Sequence, residues 1–191
     1  MRALIVYEPA GAGIDRITHE VAQGLATYLE TEVVVVERAL GRLDRDVALL
    51  VLGAPTTSTG LSRHWTRVPE QRRRTSRSSA RRAGLRDWLA LLPWASDAPP
   101  TAVFDVAGDG RDGVAPRSGR SAAVEVARTL RRRRYDAVAE PVTFAVGTSD
   151  TGLEAEAGRA RDWGAEIARA ALATRSRRRR TTAPRAVLAR A

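Results

Sequence analysis

The chain has no cysteine, no lysine and no asparagine. Without cysteine there is no disulfide, thiolate metal site, iron–sulfur cluster or cysteine nucleophile. Without lysine there is no Gly-Lys-Ser/Thr phosphate loop of the Walker type, and all 32 basic residues are Arg. That bias makes the identity of any single Arg uninformative, so only its placement can carry an argument. Long apolar runs are missing too. None approaches the roughly 18 residues of a membrane span. The opening MRALIVYE has one Arg, a short apolar run and then an acid. It lacks the length and cleavage site of a secretory leader, so a cytoplasmic protein is expected. Histidine is scarce: His19 lies off an apolar helix face and His64 in a basic stretch. Two histidines so placed make neither a metal site nor a catalytic triad, and no catalytic residue emerges.

What is present is enough for one domain. The 191 residues are 43% hydrophobic, which suffices for a core. The net charge of +10 is unevenly distributed. Residues 175–191 carry seven Arg and no acid, and removing those seven from +10 leaves +3 for residues 1–174. A second cluster between Arg63 and Arg82 holds eight Arg against Glu70 alone. The pattern is a near-neutral globule over residues 1–173 with basic appendages. The Arg-rich loop 66–82 is expected to be mobile and the tail 174–191 disordered, because neither buries enough to offset ordering.

Apolar periodicity alternates along the chain. Residues 2–7 (RALIVY) form a continuous apolar run, the pattern of a strand buried on both faces. Ile14, Ile17, Val21, Leu25, Tyr28 and Leu29 follow at helical spacing. VVVV at 33–36 and DVALLVLG at 46–53 are further strands. Leu85, Trp88, Leu89 and Leu92 mark a short helix, and Trp94 after Pro93 a helix-end cap. TAVFDV at 101–106 is a fourth strand. Ala123, Val126, Ala127 and Leu130 mark a helix, and residues 137–146 hold a fifth strand with Pro141 at its start or on an edge. Leu153–Ala173 is a last helix with Trp163 and Ile167 inward. Such alternation predicts an α/β fold: a doubly wound five-stranded parallel sheet, order 2-1-3-4-5, with helices on both faces. Its ligand site lies beyond the carboxyl ends of strands 1, 3 and 4.

Local words agree with that layout. Ala3-Leu4-Ile5-Val6-Tyr7-Glu8, Val51-Leu52-Gly53-Ala54-Pro55-Thr56, Gly60-Leu61-Ser62-Arg63, Gly84-Leu85-Arg86-Asp87-Trp88-Leu89, Phe104-Asp105 and the stretch from Glu154 to Trp163-Gly164 resemble the short bacterial members of the flavodoxin-like family. The likeness covers about residues 1–172. It implies FMN as cofactor, an electron-transfer role and a redox partner protein.

In that family, hydroxyls and backbone N–H groups after strand 1 hold the FMN phosphate. Here the loop runs Glu8-Pro9-Ala10-Gly11-Ala12-Gly13-Ile14. Pro9 and Ile14 stand where hydroxyls are expected, and Pro9 has no N–H. The small residues from Ala10 to Gly13 allow close backbone approach, and Arg16 is placed to add charge. Two readings stay open: an altered, weaker phosphate site, or a loop that binds nothing. The second flavin loop is Pro55-Thr56-Thr57-Ser58-Thr59-Gly60, with Trp65 as the one nearby aromatic for the ring. Asp105 and Gly108 open the third.

Other constellations are weaker. Gly11-Ala12-Gly13-Ile14-Asp15-Arg16 is a broken dinucleotide fingerprint ending in Arg, with Glu37 as its ribose acid. Asp105, Asp109 and Asp112 lack the ligand spacing of a calcium loop. The alternatives to a flavin carrier are a non-flavin interaction module that kept the fold, and a nucleic-acid or anionic-surface binder acting through the Arg-rich tail.

Overall fold

The computed structural model describes residues 1–39, 43–44, 46–57, 60–61, 83–94, 98–108, 121–146 and 150–182. Strand β1 (Arg2–Tyr7) leads into helix α1 (Ala12–Ala26), then β2 (Glu30–Val35) and β3 (Val47–Thr57). A two-residue β4 (Gly60–Leu61) folds back on the end of β3. Helix α2 (Leu85–Leu91), β5 (Thr101–Gly108), α3 (Ala122–Arg132), β6 (Val142–Val146) and α4 (Asp150–Thr182) follow. Setting aside the antiparallel β4, the strands pair in parallel as β2-β1-β3-β5-β6. In strand count that is the expected 2-1-3-4-5.

Each sheet face has its own core, because side chains alternate along a strand. Leu4, Val6, Leu50, Leu52 and Val103 meet α2 and α3 through Trp88, Leu89, Val126 and Leu130. Ile5, Leu49, Val51, Phe104 and Phe144 meet α1 and α4 through Ile17, Val21, Ile167 and Ala168. Trp88 is in the core as expected, its indole N–H donating to the Ala39 carbonyl at 2.8 Å. Trp163 packs edge-on against Phe104 and Phe144, with ring centroids 6.0 Å apart in both pairs. Pro141 directly precedes β6, the edge strand, where its missing N–H costs no ladder bond.

Two expectations are corrected. Helix α4 does not stop at residue 173; it runs to Thr182, so the first part of the basic segment is helical. Arg178 in that extension donates to the Asp136 carboxylate and to the Ala98 carbonyl. Residues 183–191 and the loop 66–82 lie outside the described residues. Trp94 caps no helix. It is 70% exposed, and at the end of α2 it is Arg133 that donates to the Ala90 carbonyl and to that of Leu92, the residue after the helix.

The end of α3 carries a strained residue. Arg134 has φ of 65°, in the left-handed region that favours glycine. The Tyr135 N–H reaches the Leu130 carbonyl at 3.1 Å and the Arg134 N–H the Arg131 carbonyl at 3.0 Å. Leu130 and Tyr135 share the same core. This is a Schellman cap with Arg where glycine is usual. Arg134→Gly should therefore raise stability by about 1 kcal/mol and the melting temperature by roughly 2–4 °C. Arg134→Ala, which keeps the strain, should not; equal melting curves for the two variants would refute the cap.

Candidate functional site

The carboxyl ends of β1, β3 and β5 lie side by side in the sheet, with Tyr7 opposite Gly53 and Ala54 opposite Asp105. The Glu8 N–H donates to the Gly53 carbonyl at 3.0 Å, so the first loop leaves the sheet tied to β3. The Glu8 carboxylate is turned inward, 5% exposed. Its Oε2 accepts the Leu85 N–H at 2.8 Å, at the start of α2, where a negative charge meets the positive end of the helix.

Glycine is required twice in this loop, for different reasons. Gly11 precedes α1 with φ of 137°, which side-chain-bearing residues rarely adopt. Gly13 lies against β6: a Cβ there would stand 2.8 Å from Val146 Cγ2. By helix geometry the N–H groups of Ala12, Gly13 and Ile14 have no acceptor within α1, and the N-cap residue, Gly11, has no side chain to cap them. Pro9 and Ala10 lie on the surface side of the loop, half-buried and exposed. Backbone donors for an anion are thus present.

The side chains do not reinforce them. Ile14 is 3% exposed and belongs to the α1 core, so only its backbone faces the loop. Arg16 does not supply loose charge: its Nε lies 3.1 Å from Glu20 Oε1 and its Nη2 3.2 Å from Glu154 Oε1. Asp15 occupies the first turn. It acts with burial, the larger cause, to push the Tyr7 hydroxyl above its ordinary pKa. A phosphate here would meet Asp15 without an Arg committed to it.

The second loop divides. Pro55 and Thr56 are half-buried at the end of β3. Thr56 and Thr57 pair with Leu61 and Gly60 through the backbone. Ser58, Thr59 and Trp65 lie outside the described residues. Arg86 bridges to Glu125 at 2.6 Å, and the other Glu125 oxygen accepts the Leu61 N–H at 3.2 Å, which fixes β4 against α3.

The third loop does not begin at Phe104-Asp105. Strand β5 continues to Gly108, and Asp105 is fully buried within it. Its Oδ2 accepts the Thr56 hydroxyl at 2.6 Å, the Ser121 hydroxyl at 2.7 Å and the Ala123 N–H at 3.0 Å. Asp105 therefore stands behind the site and positions the ends of β3 and α3; it does not face a ligand. Its Oδ1 is buried with no partner among the described residues. Gly108 at the strand end has open space where a side chain would be. The structural roles of Glu8 and Glu125 escape a reading of the sequence. Ser121, just ahead of the apolar helix run, carries a legible N-cap signal, and it does accept the Val124 N–H at 3.2 Å.

The cleft between the start of β5 and the end of α3, lined by Thr101, Leu130, Tyr135 and Pro141, has a volume of about 30 Å3. It holds a water or so and lies at the opposite edge of the sheet.

Neither a protein-family model nor a curated protein matches the sequence. Solved structures do. Flavodoxin 1 from Bacillus cereus is 13% identical with a TM-score of 0.59, over 88% of this chain and 98% of that one. An archaeal flavodoxin is 16% identical with a TM-score of 0.54, over 88% and 99%. The rubredoxin:oxygen oxidoreductase of Desulfovibrio gigas is 17% identical with a TM-score of 0.56 over 92% of this chain, which spans 37% of that protein. The sheet order, the helices on both faces and the full-length match to flavodoxins agree: the chain has the flavodoxin-like fold.

Proposed function

We propose that the protein binds a flavin at the carboxyl edge of its sheet and serves as an electron carrier with a weak grip on the phosphate of FMN. The observation that supports this most is the α1 entrance. Gly11 and Gly13 bring three first-turn amides, left uncapped by the N-cap residue, to the carboxyl edge of the sheet, and the flavodoxins that share the fold bear it over their whole length. Loop 9–14 would take the phosphate through its backbone, while the Pro55–Gly60 loop and Gly108 would border the ring. The flavin, when bound, supplies the electron chemistry and the protein its position and electrostatics. A redox partner protein would dock at this edge. The engagement of Arg16 with Glu20 and Glu154 favours a second reading, an interaction module without flavin.

Absorbance spectra after incubation with FMN or riboflavin and desalting separate the two. FMN binding by the wild type is expected to be weak, with riboflavin bound nearly as well. Pro9→Ser restores both an N–H and a hydroxyl. A hydrogen bond to a charged group is worth roughly 1.5–3 kcal/mol, so FMN should tighten by about tenfold or more and riboflavin should not. Ile14 is left alone, since a hydroxyl there would enter the core. Colourless wild type and Pro9→Ser would overturn the flavin reading.

A further inference from the structure

The far end of the molecule, where β5 begins, gathers arginines from both faces of the sheet. Helix α3 ends in Arg131 and Arg132, followed by the left-handed Arg134; all three are exposed. Helix α4 brings Arg175, Arg177 and Arg178, and Arg178 reaches Asp136, two residues past Arg134. Between these groups runs the segment after α2. It is held at Leu92 by Arg133, at Pro93 by the Tyr135 hydroxyl and at Ala98 by Arg178. On the last residue of α2 and just past it stand Leu91 and Trp94, 62% and 70% exposed, the two most exposed large apolar side chains among the described residues. The described acids beside these arginines are Asp136, engaged by Arg178, and Glu140; Glu32, Asp44 and Asp46 stand at the same end, at the starts of β1, β2 and β3, gathered on Arg2. Arg134 keeps its cation where glycine would be more stable, so this end retains charge against its backbone preference.

We propose that this end is a docking surface for an anionic phospholipid layer, with the arginines at the headgroups and Trp94 and Leu91 entering the interface. Clustered arginines draw a protein to anionic lipid but hold it weakly, and an inserted apolar pair supplies the second anchor. Trp is the side chain suited to the headgroup level, with a polar N–H on an apolar ring. A single-stranded nucleic acid would instead use several aromatics along a basic track. Here there is one exposed indole beside an aliphatic side chain that cannot stack. No described helix is long and apolar enough to cross a membrane, so the contact is peripheral. The carboxyl edge of the sheet, at the opposite end, would face away from the lipid and stay open.

The test is co-sedimentation of the full chain with vesicles of phosphatidylglycerol and phosphatidylcholine, or of phosphatidylcholine alone. Binding to the anionic vesicles only, lost at about 0.5 M salt, is expected. Arg131→Glu with Arg132→Glu should weaken it by at least about tenfold. Brominated lipid should quench the tryptophan emission of the wild type and not of Trp94→Phe. Circular dichroism establishes that the variants are folded; both sites are exposed. No binding to anionic vesicles, binding indifferent to the charge reversal, or quenching unchanged in Trp94→Phe would each overturn the proposal. So would capture of oligothymidylate in preference to the vesicles.

Discussion

Gly164→Ala should cost about 3 kcal/mol, at the upper end for an overpacked site, and lower the melting temperature by roughly 6–12 °C. Helices α1 and α4 cross at Gly24 and Gly164, and the contact is backbone on backbone. A Cβ on Gly164 would stand 2.4 Å from the Val21 carbonyl oxygen and 3.2 Å from the Gly24 Cα. A Cβ on Gly24 would stand 2.0 Å from the Arg161 carbonyl oxygen and 2.8 Å from the Ala165 nitrogen. No flexible side chain is available to move aside, so one whole helix must shift. The shift would open the core formed by Ile17, Val21 and Leu25 with Ala160, Ile167 and Ala168. It would also disturb the buried Glu20, whose Oε2 accepts from Arg161 Nε at 2.9 Å. Gly158, on the same helix with nothing within 4 Å of its missing Cβ, is the control. Gly158→Ala should stabilise by about 0.5–1 kcal/mol through helix propensity alone. Urea midpoints of the two variants check the pair. A Gly164→Ala protein as stable as Gly158→Ala would mean the helices do not cross so closely.

Strand β1 was legible to the residue because a continuous apolar run depends on no partner: residues 2–7 are strand as read. Boundaries shifted where pairing decides. Strand β2 starts at Glu30, ahead of the apolar run, because Arg2, Ala3 and Leu4 of β1 pair with Glu30, Thr31 and Glu32. Strand β3 passes Gly53 and reaches Thr57 because β5 and β4 offer it partners there. The end of α4 was misread through a false equation of polar with unstructured. Arginine is a good helix former, Arg178 finds Asp136 and the Ala98 carbonyl, and the nearest breaker is Pro184. At the site, the place of loop 9–14 was readable from strand order alone. The fate of Arg16 was not, because Glu154, which takes its Nη2, lies on the last helix. Gly24 and Gly164 gave no signal either. A glycine inside a helical pattern announces a close approach only when its partner is known.

Asp105→Ala should be the other severe substitution, at about 3–5 kcal/mol. The carboxylate is wholly buried and its Oδ2 gathers three donors, from Thr56, Ser121 and Ala123. It also sits at the start of α3, where the helix favours negative charge. Truncation leaves the buried Ala123 N–H and two half-buried hydroxyls without their acceptor, and a stranded buried group costs about 1–3 kcal/mol. Asp105→Asn separates acceptor from charge. Its amide oxygen can replace Oδ2, but its NH2 must then occupy the place of Oδ1, where no partner stands among the described residues. It should lie between Ala and wild type, at about 2 kcal/mol. Ser121→Ala removes one donor to Asp105 and the cap on the Val124 N–H, for about 1 kcal/mol. The expected order of urea midpoints is therefore wild type, Ser121→Ala, Asp105→Asn, Asp105→Ala. The substitutions should also be felt at the carboxyl edge, since Thr56 is released with them. Amide exchange at the end of β3 should quicken in Asp105→Ala while the start of the strand, at Val47–Leu50, stays protected. An Asp105→Asn protein as stable as wild type would show that the negative charge contributes nothing there. Uniform exchange along β3 would show that Asp105 holds the core alone and not the edge of the site.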